Sequence, residues 1–290
     1  MNLLYITFGN HQLVHLQAAY SIYSFLNGGH GIASINVITD SPAHYAHFGR
    51  SIHLMHASEE DLAEWKGAYD FFWRIKIEGI KKICALYAGS PVVYLDTDTF
   101  FYKTPQYLYE NLAANHALMH ENEGSLAQKK SKTEKRMWRQ VKGKTFGGLA
   151  MQPGFCMWNA GVVATPNTLD NQENILALAI CDEMCRQGVT RRLIEQFALS
   201  VAYQHTYGLV PASHSIAHYW SAKDVWNHHI TEFMTEAFLC NYPQQKIAAL
   251  LSAYDKSAIP VSQKTGSTNR RIRDLAEIIS PVKNKVFLSV

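Results

Sequence analysis

Two acids separated by one residue close an apolar run in Val92-Val93-Tyr94-Leu95-Asp96-Thr97-Asp98. Where a buried strand ends, the backbone leaves its strict pleat, so the two carboxylates can converge on one cation. Hard carboxylate oxygens suit Mg²⁺ or Mn²⁺, which keep open positions for phosphate oxygens. Acids also close strands as plain solvated turns. The four residues directly before Asp96 favour the metal reading.

The elements that must position this pair can be read from the first hundred residues. Leu3 to Phe8 is an apolar run ending at Gly9, a strand signal. Leu13, Leu16, Tyr20 and Tyr23 recur at helical spacing, and Asn27-Gly28-Gly29 is expected to stop that helix. Ile35 to Thr39 reads as a second strand and Ser51 to Met55 as a third. Ser58 followed by Glu59, Glu60 and Asp61 reads as an N-cap with acids in the first turn. Phe71 to Tyr87 is an amphipathic helix, and Val92 to Leu95 a strand buried on both faces. This alternation predicts an α/β fold: a Rossmann-like, mostly parallel central sheet with helices on both faces. Such sheets bind ligands at the carboxyl ends of their strands, where Asp96 and Asp98 fall.

The second half is less regular. Residues 121–148 carry eight Lys and Arg from Lys129 to Lys144, and are expected to form a mobile excursion, part of it helical. Phe155 to Thr165 reads as a strand pair turning at Asn159-Ala160-Gly161. Helices are expected near 171–187 and 191–204, then strand and loop from Leu209 to Trp220. The end is basic from Lys264, and Ile272, Leu275, Ile278 and Ile279 beside Arg270, Arg271 and Arg273 could form a membrane-contact helix or pack on the domain.

The composition excludes several classes. Of the 290 residues, 47% are hydrophobic and 12% aromatic, which excludes a disordered chain. No apolar stretch reaches the length of a membrane span. A net charge of +3 is too small to argue for nucleic acid. The apolar start lacks a basic lead and is one strand long, so it does not read as a secretory signal. Five cysteines without a CxxC pair argue against a disulfide framework and for the reducing cytoplasm. Cys181 and Cys185, four apart on a helix, read as packing.

Five short motifs in order resemble the metal-dependent glycosyltransferases of the nucleotide-sugar-binding GT-A fold, and among them family 8, the glycogenin and galactosyltransferase-like enzymes. They are the Arg-bearing helix start Trp73-Arg74-Ile75-Lys76, the strand and acids Tyr94-Leu95-Asp96-Thr97-Asp98, the Asn-x-Gly turn Asn159-Ala160-Gly161, the pair Glu195-Gln196, and His218 followed by Lys223 and Trp226. They cover about residues 1–230. The chain departs from the family pattern in three places. Glu195 stands where Asp is usual, Ser221 where Gly is, and Asp224 where Pro is.

The resemblance implies a glycosyltransferase domain over 1–260, with a nucleotide-binding half (1–100) and an acceptor half (101–260), and a basic tail over 261–290. It implies a nucleotide-sugar donor, UDP-linked in the first instance, and a hydroxyl acceptor on a glycan, a lipid-linked glycan or a protein. Asp96, Asp98 and His218 would hold Mn²⁺ or Mg²⁺; an imidazole ligand favours Mn²⁺. His214 competes with His218 for that place, and His228 and His229 read as surface. Arg74, Lys76 and Lys223 are candidate cations for the diphosphate. Thr7 and Asn10, with Gly9 and Asp40 nearby, would meet base and ribose, and Asp96 the metal or the ribose. Asn159, Glu195 and Gln196 would face the sugar, Glu195 as acceptor base or donor-positioning group. Trp158, Trp220 and Trp226 read as core. The tail could touch the inner face of a membrane.

Two other readings compete. Asp96-Thr97-Asp98-Thr99 also fits the first motif of a haloacid-dehalogenase-type phosphohydrolase, with Asp96 as nucleophile. That motif usually opens its fold, whereas about 90 residues precede it here. A sugar-binding module without catalysis would not need a metal beside phosphate-binding cations.

Overall fold

The computed structural model describes residues 1–26, 31–166, 169–263 and 285–289. In chain order it runs β1 (Asn2–Thr7), α1 (Gln12–Leu26), β2 (Ser34–Thr39), β3 (His53–His56), α2 (Glu59–Lys66), α3 (Arg74–Leu86), β4 (Val92–Leu95) and β5 (Thr99–Phe101). It continues with α4 (Gln106–Ala113), β6 (Ala117–Met119), β7 (Asn122–Ser125), α5 (Lys132–Val141), β8 (Thr145–Phe146), β9 (Leu149–Ala150), β10 (Cys156–Trp158) and β11 (Val162–Thr165). It ends with α6 (Gln172–Arg186), α7 (Ile194–Thr206), β12 (Leu209–Pro211), β13 (Ile216–His218), α8 (Lys223–Leu239), α9 (Gln244–Ala253), β14 (Ser262–Gln263) and β15 (Lys285–Val286). The chain divides into two compact units. Among the described residues the first takes 1–10, 31–96, 105–166 and 169–213, and the second takes 11–26, 97–104, 214–263 and 285–289.

The first unit holds a seven-stranded sheet in the order β12-β6-β11-β4-β1-β2-β3. Neighbours are parallel except at β11, which runs against both β4 and β6. The expected mixed α/β architecture, a mostly parallel sheet flanked by helices, is therefore present. β4 and β11 are buried at every residue, as their Val- and Leu-rich sequences require. α3 packs on β1 and β4 through Ile75, Ile77, Ile80 and Ile83, all buried. Gly79 keeps that approach close, since a Cβ there would overlap the tip of the Ile6 side chain and force it to move. Ser58 caps α2 as expected: its hydroxyl accepts from Asp61 N, and Asp61 accepts in return from Ser58 N.

Three local expectations need correction. The third strand is His53–His56, because a 3₁₀ segment beginning at Pro42 extends through Ser51. The helix expected from Phe71 starts at Arg74. β10 and β11 do not pair with each other: β10 pairs with β7, while β11 enters the large sheet, where its apolar residues are covered on both sides. The basic stretch 121–148 holds the expected helix and more regular structure besides. It contains β7, α5 and β8, and α5 is anchored by the buried side chains of Met137 and Val141.

The second unit is organised by aromatic packing. Phe100 of β5 lies 4.5 Å from Trp226 of α8 and 6.0 Å from Tyr20 of α1 between ring centroids. Trp226 is fully buried and its indole donates to Pro260 O at 3.0 Å. Of the tryptophans expected in the core, Trp158 and Trp226 are buried, but Trp220 is 56% exposed. His228 is exposed as expected, whereas His229 is half-buried and stacks on Tyr254. The helix stop at 27–29 and the tail residues 270–283 lie outside the described residues. None of the five cysteines is in a disulfide. Among the described residues no helix is long and apolar enough to cross a membrane.

Candidate active site

In the first unit the end of β4 meets the start of β11. Val162 pairs with Leu95, and Asp96 N donates to Gly161 O at 2.8 Å. The reversed direction of β11 therefore delivers the Asn159-Ala160-Gly161 turn to Asp96. Asn159 holds that turn with its own side chain, accepting from Gly161 N at 3.0 Å. Tyr94, two residues before Asp96 and on the same strand face, donates its hydroxyl to Asp96 Oδ1.

Lys76 is the hub of this region. It is buried on α3, and its Nζ lies 3.2 Å from Asp96 Oδ1, 3.1 Å from Glu195 Oε1 and 3.2 Å from Ala160 O. Burial acts against its charge, but Asp96 and then Glu195 outweigh it and raise the ammonium pKa above the ordinary lysine value. Glu195, buried in the first turn of α7, responds differently. Burial raises its carboxyl, Lys76 only partly offsets that, and the like charge of Asp96 adds to the rise. Burial is the larger influence, and an ammonium shared with Asp96 does not cancel it, so Glu195 stays above its ordinary range.

Two further residues of the motif set converge on an acid that sequence reasoning missed. Glu123 of β7 accepts from Asn159 Nδ2 at 3.2 Å and from Gln196 Nε2 at 3.4 Å, and pairs with Lys129 at 3.6 Å. Its only sequence trace is an acid in a polar stretch; the β7–β10 ladder places it. Lys76 did leave a signal, because it sits four residues before Ile80 and seven before Ile83 on the buried stripe of α3. A lysine there needs a carboxylate partner.

Arg74 faces elsewhere. Its guanidinium forms a fork on Asp182, at 2.7 Å and 3.1 Å, and also reaches Glu78 at 2.9 Å and Trp65 O at 2.8 Å. These contacts tie α3 to α6. At the ends of β1 and β2, Thr7 is buried and accepts from Tyr45 OH at 2.9 Å. Gly9 N donates to both Asp40 oxygens, and Asn10 accepts from Ser41 Oγ at 3.3 Å. Gly9 has φ 76°, a left-handed turn that glycine adopts without strain.

In the second unit β13 pairs antiparallel with β5, His218 opposite Thr99, and Tyr219 N donates to Asp98 O at 3.1 Å. This ladder sets His218 Nε2 3.3 Å from Asp98 Oδ1. Lys223, the first residue of α8, brings Nζ to 2.9 Å from Asp98 Oδ2. Asp98 is buried, which alone would raise its pKa. His218 and then Lys223 outweigh burial and hold the carboxyl well below the usual carboxylate range. His214 is exposed on the turn before β13, so His218 is the histidine at this carboxylate.

Among the described residues Asp96, Asp98 and His218 form a group that could hold a metal ion. Two hard carboxylates and an imidazole suit a divalent cation, and Asp98 is held by donors that such a cation can replace.

No family model and no curated protein sequence matches the chain. Three solved structures illustrate the structural likenesses. The galactosyltransferase LgtC, in complex with donor and acceptor sugar analogues, shares 14% identity, covering 72% of this chain and 73% of its own, with a TM-score of 0.47. Mouse xyloside xylosyltransferase 1 shares 12%, covering 73% and 85%, with a TM-score of 0.45. The bifunctional IspDF from Campylobacter jejuni shares 14%, covering 73% and 49%, with a TM-score of 0.38.

Proposed function

We propose that the protein is a metal-dependent glycosyltransferase that moves a sugar from a nucleotide diphosphate, a UDP-sugar in the first instance, to a hydroxyl of a glycan, a lipid-linked glycan or a protein. The observation that carries this reading is the buried, ionised Asp98 with His218 and Lys223 on it, one residue from an Asp96 that closes a central strand. Transfer breaks the bond between the anomeric carbon and the diphosphate and forms one to the acceptor oxygen, whose proton must leave. Positive charge grows on the sugar and negative charge on the diphosphate. Asp96, Asp98 and His218 would hold Mn²⁺ or Mg²⁺, which when bound supplies a Lewis acid for the departing diphosphate.

The chain's own residues do the rest. Lys223, half exposed, can leave Asp98 for the diphosphate. Lys76 fixes Asp96 and Glu195 in register. Asn159, Glu195 and Gln196 face the sugar, and Thr7 and Asn10 the nucleoside, so residues 1–100 act as the nucleotide-binding half and 101–260 as the acceptor half. Arg74, committed to Asp182 and Glu78, supports this frame from α3. Five free thiols fit the reducing cytoplasm.

Calorimetric titration of UDP with Mn²⁺, repeated with EDTA, tests the reading. Metal-dependent binding is expected, followed by turnover of one member of a UDP-sugar panel. If no nucleotide binds with metal, the reading fails and a phosphatase screen takes its place.

A further inference from the structure

α5 carries two faces of opposite character. Met137 and Val141 are turned into the protein, while Lys132, Lys135, Arg136 and Arg139, at i, i+3, i+4 and i+7, form one exposed row. The acid on the helix, Glu134, is already engaged by Lys129 at 3.2 Å and by Ser131. The row is therefore an uncompensated strip of positive charge.

That strip is joined to an exposed aromatic edge. Gln140 of α5 accepts from Thr190 N at 3.0 Å and from Thr190 Oγ1 at 2.7 Å. The next residue, Arg191, donates to Tyr69 O at 2.8 Å and to Asp70 O at 2.9 Å. Immediately beyond, Phe72 and Trp73 are 48% and 51% exposed. They meet edge to face, with centroids 5.4 Å apart. Two large rings left in water need a reason.

We propose that α5 and the Phe72–Trp73 edge together form a membrane-docking surface for bilayers containing anionic phospholipid. Lys and Arg are drawn to the negative headgroup layer, and indole and phenyl rings settle at the boundary between headgroups and acyl chains. A soluble polyanion would use the cations and leave the rings wet. The edge-to-face ring geometry also offers no flat platform on which bases could stack.

Vesicle co-sedimentation of the full chain tests this. The protein should sediment with vesicles of phosphatidylcholine and phosphatidylglycerol in 3:1 ratio and not with phosphatidylcholine alone, and should be released by 0.5 M salt. The triple variant K132E/K135E/R139E and the double variant F72S/W73S should each weaken partition at least tenfold, with melting curves verifying that both are folded. A third variant, R270Q/R271Q/R273Q, should keep binding. The proposal is overturned if wild type prefers neither vesicle, or if the tail variant loses binding while the α5 variant keeps it. Release by millimolar glycerol phosphate or by single-stranded RNA would overturn it too, since either would mark a soluble ligand rather than a surface.

Discussion

Two carboxylate sites in this chain are built with opposite stoichiometry. In the first unit one buried ammonium, Lys76, serves two carboxylates, Asp96 and Glu195. In the second, one buried carboxylate, Asp98, is served by His218 and Lys223. Burial pushes both carboxylates up; at Asp98 two cations outweigh that push, whereas at Glu195 the single Lys76, shared with Asp96, only partly offsets it. Glu195 is held up and Asp98 is held down. The contrast separates a rigid frame from a site whose donors can be exchanged for a cation.

The largest effect should come from removing the minority group of the second site. Asp98→Asn is expected to lower metal-dependent transfer by about a thousandfold or more, with a cooperative melt retained; full turnover in the folded variant would end the metal assignment. Next is the minority group of the first site. Lys76→Met leaves the buried Glu195 uncompensated beside a partly exposed Asp96 and should cost roughly 3–5 kcal/mol in denaturant unfolding. Adding Glu195→Gln to that variant should restore part of the loss, and no restoration would mean that the two acids do not share Lys76.

The pH dependence of stability, measured by thermal melting in EDTA, is the direct test of opposition. The folded-state pKa of Asp98 lies below its unfolded value, so its stabilisation is full above about pH 4 and is lost on acidification. Glu195 is raised above its ordinary value of 4.5, so its contribution is full below pH 4.5 and is lost as pH rises through the raised value. As pH rises to about 4, Asp98→Asn should become more destabilising relative to wild type and then stay level, whereas Glu195→Gln should become less destabilising as pH rises above 4.5. Parallel trends would break the comparison. The smallest effect on stability belongs to Lys223→Met, about 1 kcal/mol or less, because the lysine is 47% exposed and its ion pair is solvent-screened. Its cost should appear in turnover instead.

Much of this was legible in the chain itself. The bounds of β4, the cap at Ser58 and the parallel β1–β4 core follow from apolar runs and turn residues, which are local signals. Motif order favoured His218 but left His214 competing, and the β13–β5 pairing supplies the reason that His218 is the one at Asp98. Glu123 was not legible, because its role depends on pairing between β7 and β10, 31 residues apart at the Ser125–Cys156 pair, and pairing of distant segments leaves no mark in either one. The strands of the basic stretch, unlike its helix, were missed for a related reason. Four buried apolar residues, Leu126, Met137, Val141 and Phe146, anchor that stretch, too thinly spread to stand out among eight cations.

The contact from Ala160 to Lys76 is made by a backbone oxygen, so no substitution of the alanine side chain can delete it. Its weakness is alignment instead. A one-residue insertion within β11 that slipped its register on β4 would carry the turn about 3.3 Å along the strand and invert its faces. The same insertion after Thr165 would leave that register alone. Tolerance to inserted length should therefore change sharply across the end of a four-residue strand, a boundary that deep insertion scanning would map.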